Sequence, residues 1–129
     1  MNLDPKNQLT ITSARASAAF AASANVTGID LRDYIGNVTV IFNIGTATAG
    51  TNPTYDASLQ SGAASDGSDA VAFSPAVAIT QATGASLQSV NVDTRQANRY
   101  LKIVQTIGGT SSPSFPVGIT IVGTKQVQP

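Results

Sequence analysis

"NVTVIFNIG", residues 37–45, decides the fold class. Val38, Val40, Phe42 and Ile44 fall on one face of an extended chain, with Asn37, Thr39 and Asn43 on the other, a period of two that ends at Gly45. Only Ile41 departs from the alternation. "FPVGITIVG", residues 115–123, repeats the pattern with Phe115, Val117, Ile119 and Ile121 inward. Pro116 and Gly118 on its other face point to an edge position or a bulge. "TYDASLQ" sets Tyr55, Ala57 and Leu59 on one side, and "SLQSVNVD" offers Leu87, Val90 and Val92 less regularly. Shorter candidates are "QLTIT", with Leu9 and Ile11, and "AVAF", with Val71 and Phe73.

Turn signals separate these pieces at short spacing: Thr27-Gly28, Gly45 to Pro53, "SDGSD" at 65–69, Thr83-Gly84, and "GGTSSPS" at 108–114. Ala, Ser, Thr, Gly and Val dominate, while the helix formers Glu, Leu and Lys are scarce. The expected fold is therefore all-β, a single antiparallel β-sandwich, jelly-roll-like, with about seven to eight strands. "SARASAAFAASAN", residues 13–25, is rich in alanine, but a helix there would have only Phe20 to bury, so it reads as extended.

The chain has 129 residues, the size of one domain. Residues 1–12 read as an N-terminal arm, lying on a neighbouring subunit or folded as a short strand on its own domain, and residues 13–129 as the sandwich. Seven Lys and Arg balance seven Asp, Glu is absent, and 11% of residues are charged, against about a quarter in ordinary soluble domains. So sparse a charge layer favours association with other protein. A net charge of zero lacks the basic footprint that nucleic acid requires. The polar start "MNLDPKNQLT" has no apolar core of a secretory signal, and no apolar run reaches the roughly 18 residues of a membrane span, so neither nucleic acid nor membrane is an expected partner.

With no His and no Cys, a Ser-His-Asp or Cys-His arrangement cannot be built, and zinc and the softer metals lose their usual ligands. Asp30 and Asp33 in "IDLRD" read as surface carboxylates that pair with Arg32 or cap a turn. Asp66 and Asp69 in "SDGSD" resemble a fragment of a calcium loop, but such a loop needs a distant bidentate Glu; a tight turn with Gly67 at positive φ explains the string. No catalytic, cofactor or metal residue is expected.

"RQANRYLKIVQTIGG", residues 95–109, holds three of the seven basic side chains. Arg99, Leu101, Ile103, Gln105 and Ile107 share one face, and Tyr100, Lys102, Val104 and Thr106 the other. Apolar residues on both faces suit a central strand whose charged end emerges at the rim. Arg95, Arg99 and Lys102 are then candidates for protein contact, as are Leu3 and Leu9 of the arm.

The order of pieces in "TGIDLRDYIGNVTVIFNIGTATAGTNPTYDASLQSGAASDGSD" and "SVNVDTRQANRYLKIVQTIGGTSSPSFPVGITIVGTK", spanning residues 27–125, resembles small structural proteins of tailed bacteriophages and prophages. In these a Val/Ile-Asp-Leu turn leads into a strand, a Leu-Gln-Ser strand ends in an Asp-Gly turn, and an Arg-Tyr-Leu strand runs through Gly-Gly to a last strand. The resemblance implies a non-enzymatic head decoration or minor capsid protein, a homo-oligomer without cofactors that binds the major capsid protein in a virion assembled in the host bacterial cytoplasm. The alternative is a carbohydrate- or receptor-binding sandwich of a phage fibre or tail, which the absence of Trp and the apolar placement of most Tyr and Phe disfavour.

Overall fold

The computed structural model describes residues 9–20 and 24–125. Seven strands follow one another: β1 (Leu9–Phe20), β2 (Ala24–Asp30), β3 (Tyr34–Ile44), β4 (Ala49–Gly62), β5 (Val71–Ala72), β6 (Ser86–Asp93) and β7 (Tyr100–Lys125). A single 3-10 turn, Leu31–Asp33, joins β2 to β3. All strand pairings are antiparallel. The protein is all-β, a curled antiparallel sandwich of the jelly-roll-like kind that the alternation requires.

β7 organises the molecule because it belongs to both halves of the sandwich. Its first part lies between β2 and β4, with β5 beyond β4; its last part lies between β1 and β3, with β6 beyond β3. The expected turn at 108–114 is a bend within this one strand. There Gly109, Ser111 and Ser112 adopt φ of 113°, 62° and 53°, opposite a matching irregularity in β4 at Gly50 (φ 102°) and Asn52 (φ 49°). A Cβ on Gly108 would meet Thr54 Oγ1 at 2.5 Å. The paired strands can thus come close and turn the corner together.

The core fills the space between the halves. Val38, Val40, Phe42 and Ile44 of β3, Tyr55, Ala57 and Leu59 of β4, and Leu101, Ile103, Phe115, Val117, Ile119 and Ile121 of β7 are each at most 3% exposed. Their alternation matches the sequence reading position for position. The Tyr55 and Phe115 rings, 6.1 Å apart and tilted by 55°, join one half to the other. Fully burying a large apolar side chain contributes about 1.5–3 kcal/mol, so a one-residue slip of β3 or β7, which would turn its whole set outward, is strongly disfavoured.

Several local expectations change. Around Pro116 and Gly118, β7 is flanked on both sides rather than at an edge, and the irregularity sits in β1, whose register jumps from Arg15 opposite Ile119 to Ala18 opposite Val117. Thr27-Gly28 is not a turn between strands; Gly28, at φ 78°, marks a register shift inside β2. Leu87, Ile11 and Val71 are 72%, 66% and 66% exposed. Leu87 lies outward because Val90 and Val92 of the same strand take the inward parity. Ile11 lies outward because its neighbour Thr12, opposite Ile121, takes the inward one. The segment 13–25 is extended wherever it is described, as β1 and the start of β2. Of the N-terminal arm, Leu9 to Thr12 pair with β7 of their own chain, whereas Met1 to Gln8, Leu3 included, lie outside the described residues.

Candidate interaction surface

The three basic residues singled out from the sequence each hold a different partner. Arg95 closes its own turn: its backbone N–H donates to Asp93 Oδ1 at 3.0 Å and its Nε to the same oxygen at 3.2 Å, with the side chain 81% exposed. Arg99, at the mouth of β7, donates from Nη2 to Asp30 Oδ2 at 3.0 Å and lies 4.9 Å over the ring of Tyr100. Lys102 stretches over the 63–70 loop, donating from Nζ to the Gly67 carbonyl at 3.4 Å. Each cation holds a different loop, because "RQAN" forms the connection into β7 while Lys102 already sits on the strand's opposite face. Leu9 is half-buried on the outer surface of β1.

The carboxylates serve the same purpose. Asp30 caps the 3-10 turn, accepting from the Arg32 N–H at 3.0 Å, but its ion pair is with Arg99 rather than Arg32. Its pKa is held below the ordinary carboxylate value mainly by the Arg99 hydrogen bond, and Arg99 is raised in return. In "SDGSD", Gly67 has φ 74°, Asp66 Oδ1 accepts from the Ser68 N–H at 2.9 Å, and Asp69 accepts from the N–H groups of Ala63 and Ala64 at 3.1 and 3.0 Å. These carboxylates are engaged in building a turn, as the Gly67 reading requires. The pKa values of Asp66 and Asp93 are lowered by the backbone N–H groups of Ser68 and Arg95 respectively.

The four sheet edges differ more than the charges do. β5 is two residues long. Beyond it, residues 77–82 run along β4 through backbone hydrogen bonds of Leu59 N–H to Val77, Ile79 N–H to Ala57, and a reciprocal pair between Tyr55 and Ala82. The β6 edge meets this same segment through one side chain: Gln88 Oε1 accepts from the Thr80 N–H and Gln88 Nε2 donates to the Thr80 carbonyl, both at 2.9 Å. One carboxamide thereby imitates a strand neighbour and closes the sandwich along that seam. On the opposite side β1 and β2 stay apart, separated by a cleft of about 280 Å³ lined by Thr12, Ala14, Val26, Ile29, Asp33 and Tyr34.

The two outer faces also differ. Outside β2, β4 and the first part of β7, the surface carries Lys102 and Asp56, the latter accepting from Gln81 Nε2 at 2.9 Å. Outside β1, β3, β6 and the end of β7, the rows run Leu9–Thr124–Ile35, Ile11–Val122–Thr39–Asn91 and Ser13–Thr120–Ile41–Ser89. These rows hold no charge. Ile35 is 50% exposed, and the register sets it, Leu9, Ile11 and Val122 in two adjoining rows at the β1 side. The parity of Leu87 against Val92 was the one signal in the sequence for this face; for Ile11 there was none.

At the β6 end, a cleft of about 390 Å³ gathers Asn37, Asn91, Gln96, Asn98, Ser61 and Phe73. It offers hydrogen bonds from carboxamides. Tyr34, Tyr55, Phe42 and Phe115 are buried, Tyr100 lies under Arg99, and Phe73, half-buried, lines this cleft. Among the described residues no three metal-ligating side chains converge, and no helix is long and apolar enough to cross a membrane.

No family model and no curated protein matches the chain. Solved structures do resemble it. A chain of the T13 particle of infectious bursal disease virus has a TM-score of 0.51 at 16% identity, with 97% of this chain and 35% of that chain covered. This chain thus spans about a third of that viral protein. The SPBc2 prophage-derived protein YomS gives a TM-score of 0.47 at 8% identity, covering 89% and 93% of the two chains. The xylan-binding module CBM15 gives 0.49 at 11% identity, covering 98% and 97%. At these identities the likeness is one of fold: this sandwich is an architecture also found in a viral particle.

Proposed function

We propose that the protein is a non-enzymatic structural component of a virion, a head decoration or minor capsid protein that binds the lattice of the major capsid protein and other copies of itself. The observation that carries the reading is the outer face of β1, β3, β6 and the end of β7, where three successive rows of side chains hold no charge and Ile11, Ile35 and Leu87 are exposed. Clustered exposed apolar side chains mark contact surfaces, and rows without charge suit a broad, close contact better than the recognition of an ionic ligand. The viral-particle likeness supports the fold that such a role uses. The engagement of Arg95, Arg99 and Lys102 in holding loops fits a scaffold whose work is assembly; the heads of Arg95 and Arg99 remain accessible enough to add contacts at the rim. Assembly in the host bacterial cytoplasm and residence in the particle follow from the same reading.

Co-sedimentation of the purified chain with empty phage capsids tests it. Saturable binding that is lost when Ile35 and Leu87 are both changed to Lys is expected. A chain that ignores capsids and is retained on immobilised glycans would overturn the reading in favour of a carbohydrate-binding module.

A further inference from the structure

We infer that two copies of the chain pair edge to edge through Leu9–Ser13 of β1, antiparallel about a two-fold axis at Ile11. The inference rests on the structural-component reading above and names the self-contact it requires. A free strand edge offers unpaired N–H and C=O groups to any other strand, so folded proteins blunt their edges. Three of the four edges here are blunted: β5 is two residues long, β6 is tied by the side chain of its own Gln88 to Thr80 of the 77–82 segment at 2.9 Å, and β2 is broken by the register shift at Gly28 and ends in the Asp30–Arg99 ion pair. The β1 edge at residues 9–13 has none of these devices. Leu9 to Ser13 run in unbroken register against Thr124 to Thr120 of β7, and among the described residues β1 pairs with β7 alone.

The occupant is set by symmetry and charge. "LTITS" pairs with itself antiparallel so that Ile11 faces Ile11 of the second copy and Leu9 faces its Ser13. No charged side chain lies in the segment or in the rows beside it, so two copies meet without repulsion. The two rows holding Leu9, Ile11, Val122 and Ile35 would join their counterparts into one apolar band across an eight-stranded sheet. Two-fold pairing closes on itself and uses each edge once.

Sedimentation of the full chain over a concentration series tests the pairing. A monomer–dimer equilibrium is expected, with Ile11→Lys raising the concentration for half-dimerisation by about tenfold through loss of the Ile pair and apposition of like charges. Val71→Lys, on β5 and as exposed as Ile11, should leave it unchanged. Because the chain has no cysteine, Ile11→Cys should oxidise to a covalent dimer, since facing residues of antiparallel strands lie about 4.5–5.5 Å apart, within disulfide reach. A wild-type chain that stays monomeric throughout, or equal effects of the two lysine variants, would overturn the pairing. Capsid co-sedimentation of the same samples separates the two readings: a capsid-binding monomer sinks the edge pairing alone, and a dimer that ignores capsids sinks the virion role alone.

Discussion

Tyr34 occupies the space that a side chain at position 123 would need: a Cβ placed on Gly123 would collide with Tyr34 Cδ1. The ring thus passes over β7, and its hydroxyl reaches β1, donating to Thr12 Oγ1 at 2.9 Å. One aromatic side chain links three strands across a glycine. Gly123→Ala should destabilise the protein by about 1–3 kcal/mol, the cost of overpacking a filled site, whereas Tyr34→Phe should cost about 1 kcal/mol, the net worth of a hydrogen bond. Urea titration of both variants checks the order; an alanine at 123 that costs nothing would show that the ring is free to move aside.

The Tyr55 hydroxyl donates to Gln105 Oε1 at 2.6 Å in the middle of the core, where Gln105 is 1% exposed and its Nε2 has no hydrogen-bond partner among the described residues. Tyr55→Phe should cost about 1–3 kcal/mol, because it leaves the buried carboxamide with still less. Adding Gln105→Leu should restore stability, giving a strongly non-additive cycle. Simple additivity in denaturant midpoints would contradict the coupling.

Gln88 closes the β6 seam with two bonds to Thr80. Gln88→Ala should cost about 1–2 kcal/mol and speed hydrogen exchange of the Thr80 amide. Gln88→Glu keeps the acceptor for the Thr80 N–H but cannot donate to its carbonyl, so an intermediate loss is expected. Unchanged exchange at Thr80 in the alanine variant would refute the clamp.

The pH dependence follows from Asp30, Asp66 and Asp93, whose folded pKa values all lie below the unfolded value of 3.8. A depressed carboxylate pKa stabilises the fold above the unfolded value, and that contribution is lost as pH falls through the folded one. Denaturant midpoints should therefore be flat around neutrality and fall on the acid side of about pH 4. Asp30→Asn should lower stability at neutral pH and make the acid fall shallower; an equally steep fall in that variant would show that the Arg99 pair contributes nothing.

Much of this was legible in the chain because strand alternation is a local property. Val38 to Ile44, Tyr55 to Leu59 and Phe115 to Ile121 could be assigned inward from parity alone, and the core confirms each. The turn at Gly67 was readable for the same reason, since an Asp-Gly string with its own hydrogen bonds needs no distant partner. The outward position of Ile11 was not legible, because "QLTIT" has apolar residues at every second position and nothing local says which parity meets the core. The basic residues of "RQANRYLKIVQTIGG" proved to be separate clamps, since Asp30 and Gly67, which hold Arg99 and Lys102, are distant in sequence.

The sequence by itself determined an all-β sandwich, its principal inward faces, and an inventory without histidine or cysteine, because periodicity and composition act over a few residues. Only the tertiary structure decided that β7 serves both halves, that Gln88 seals one seam, and that among the described residues Leu9 to Ser13 of β1 pair with β7 alone. Those features depend on which strands become neighbours, and strand pairing across many residues leaves no local mark for parity or propensity to report.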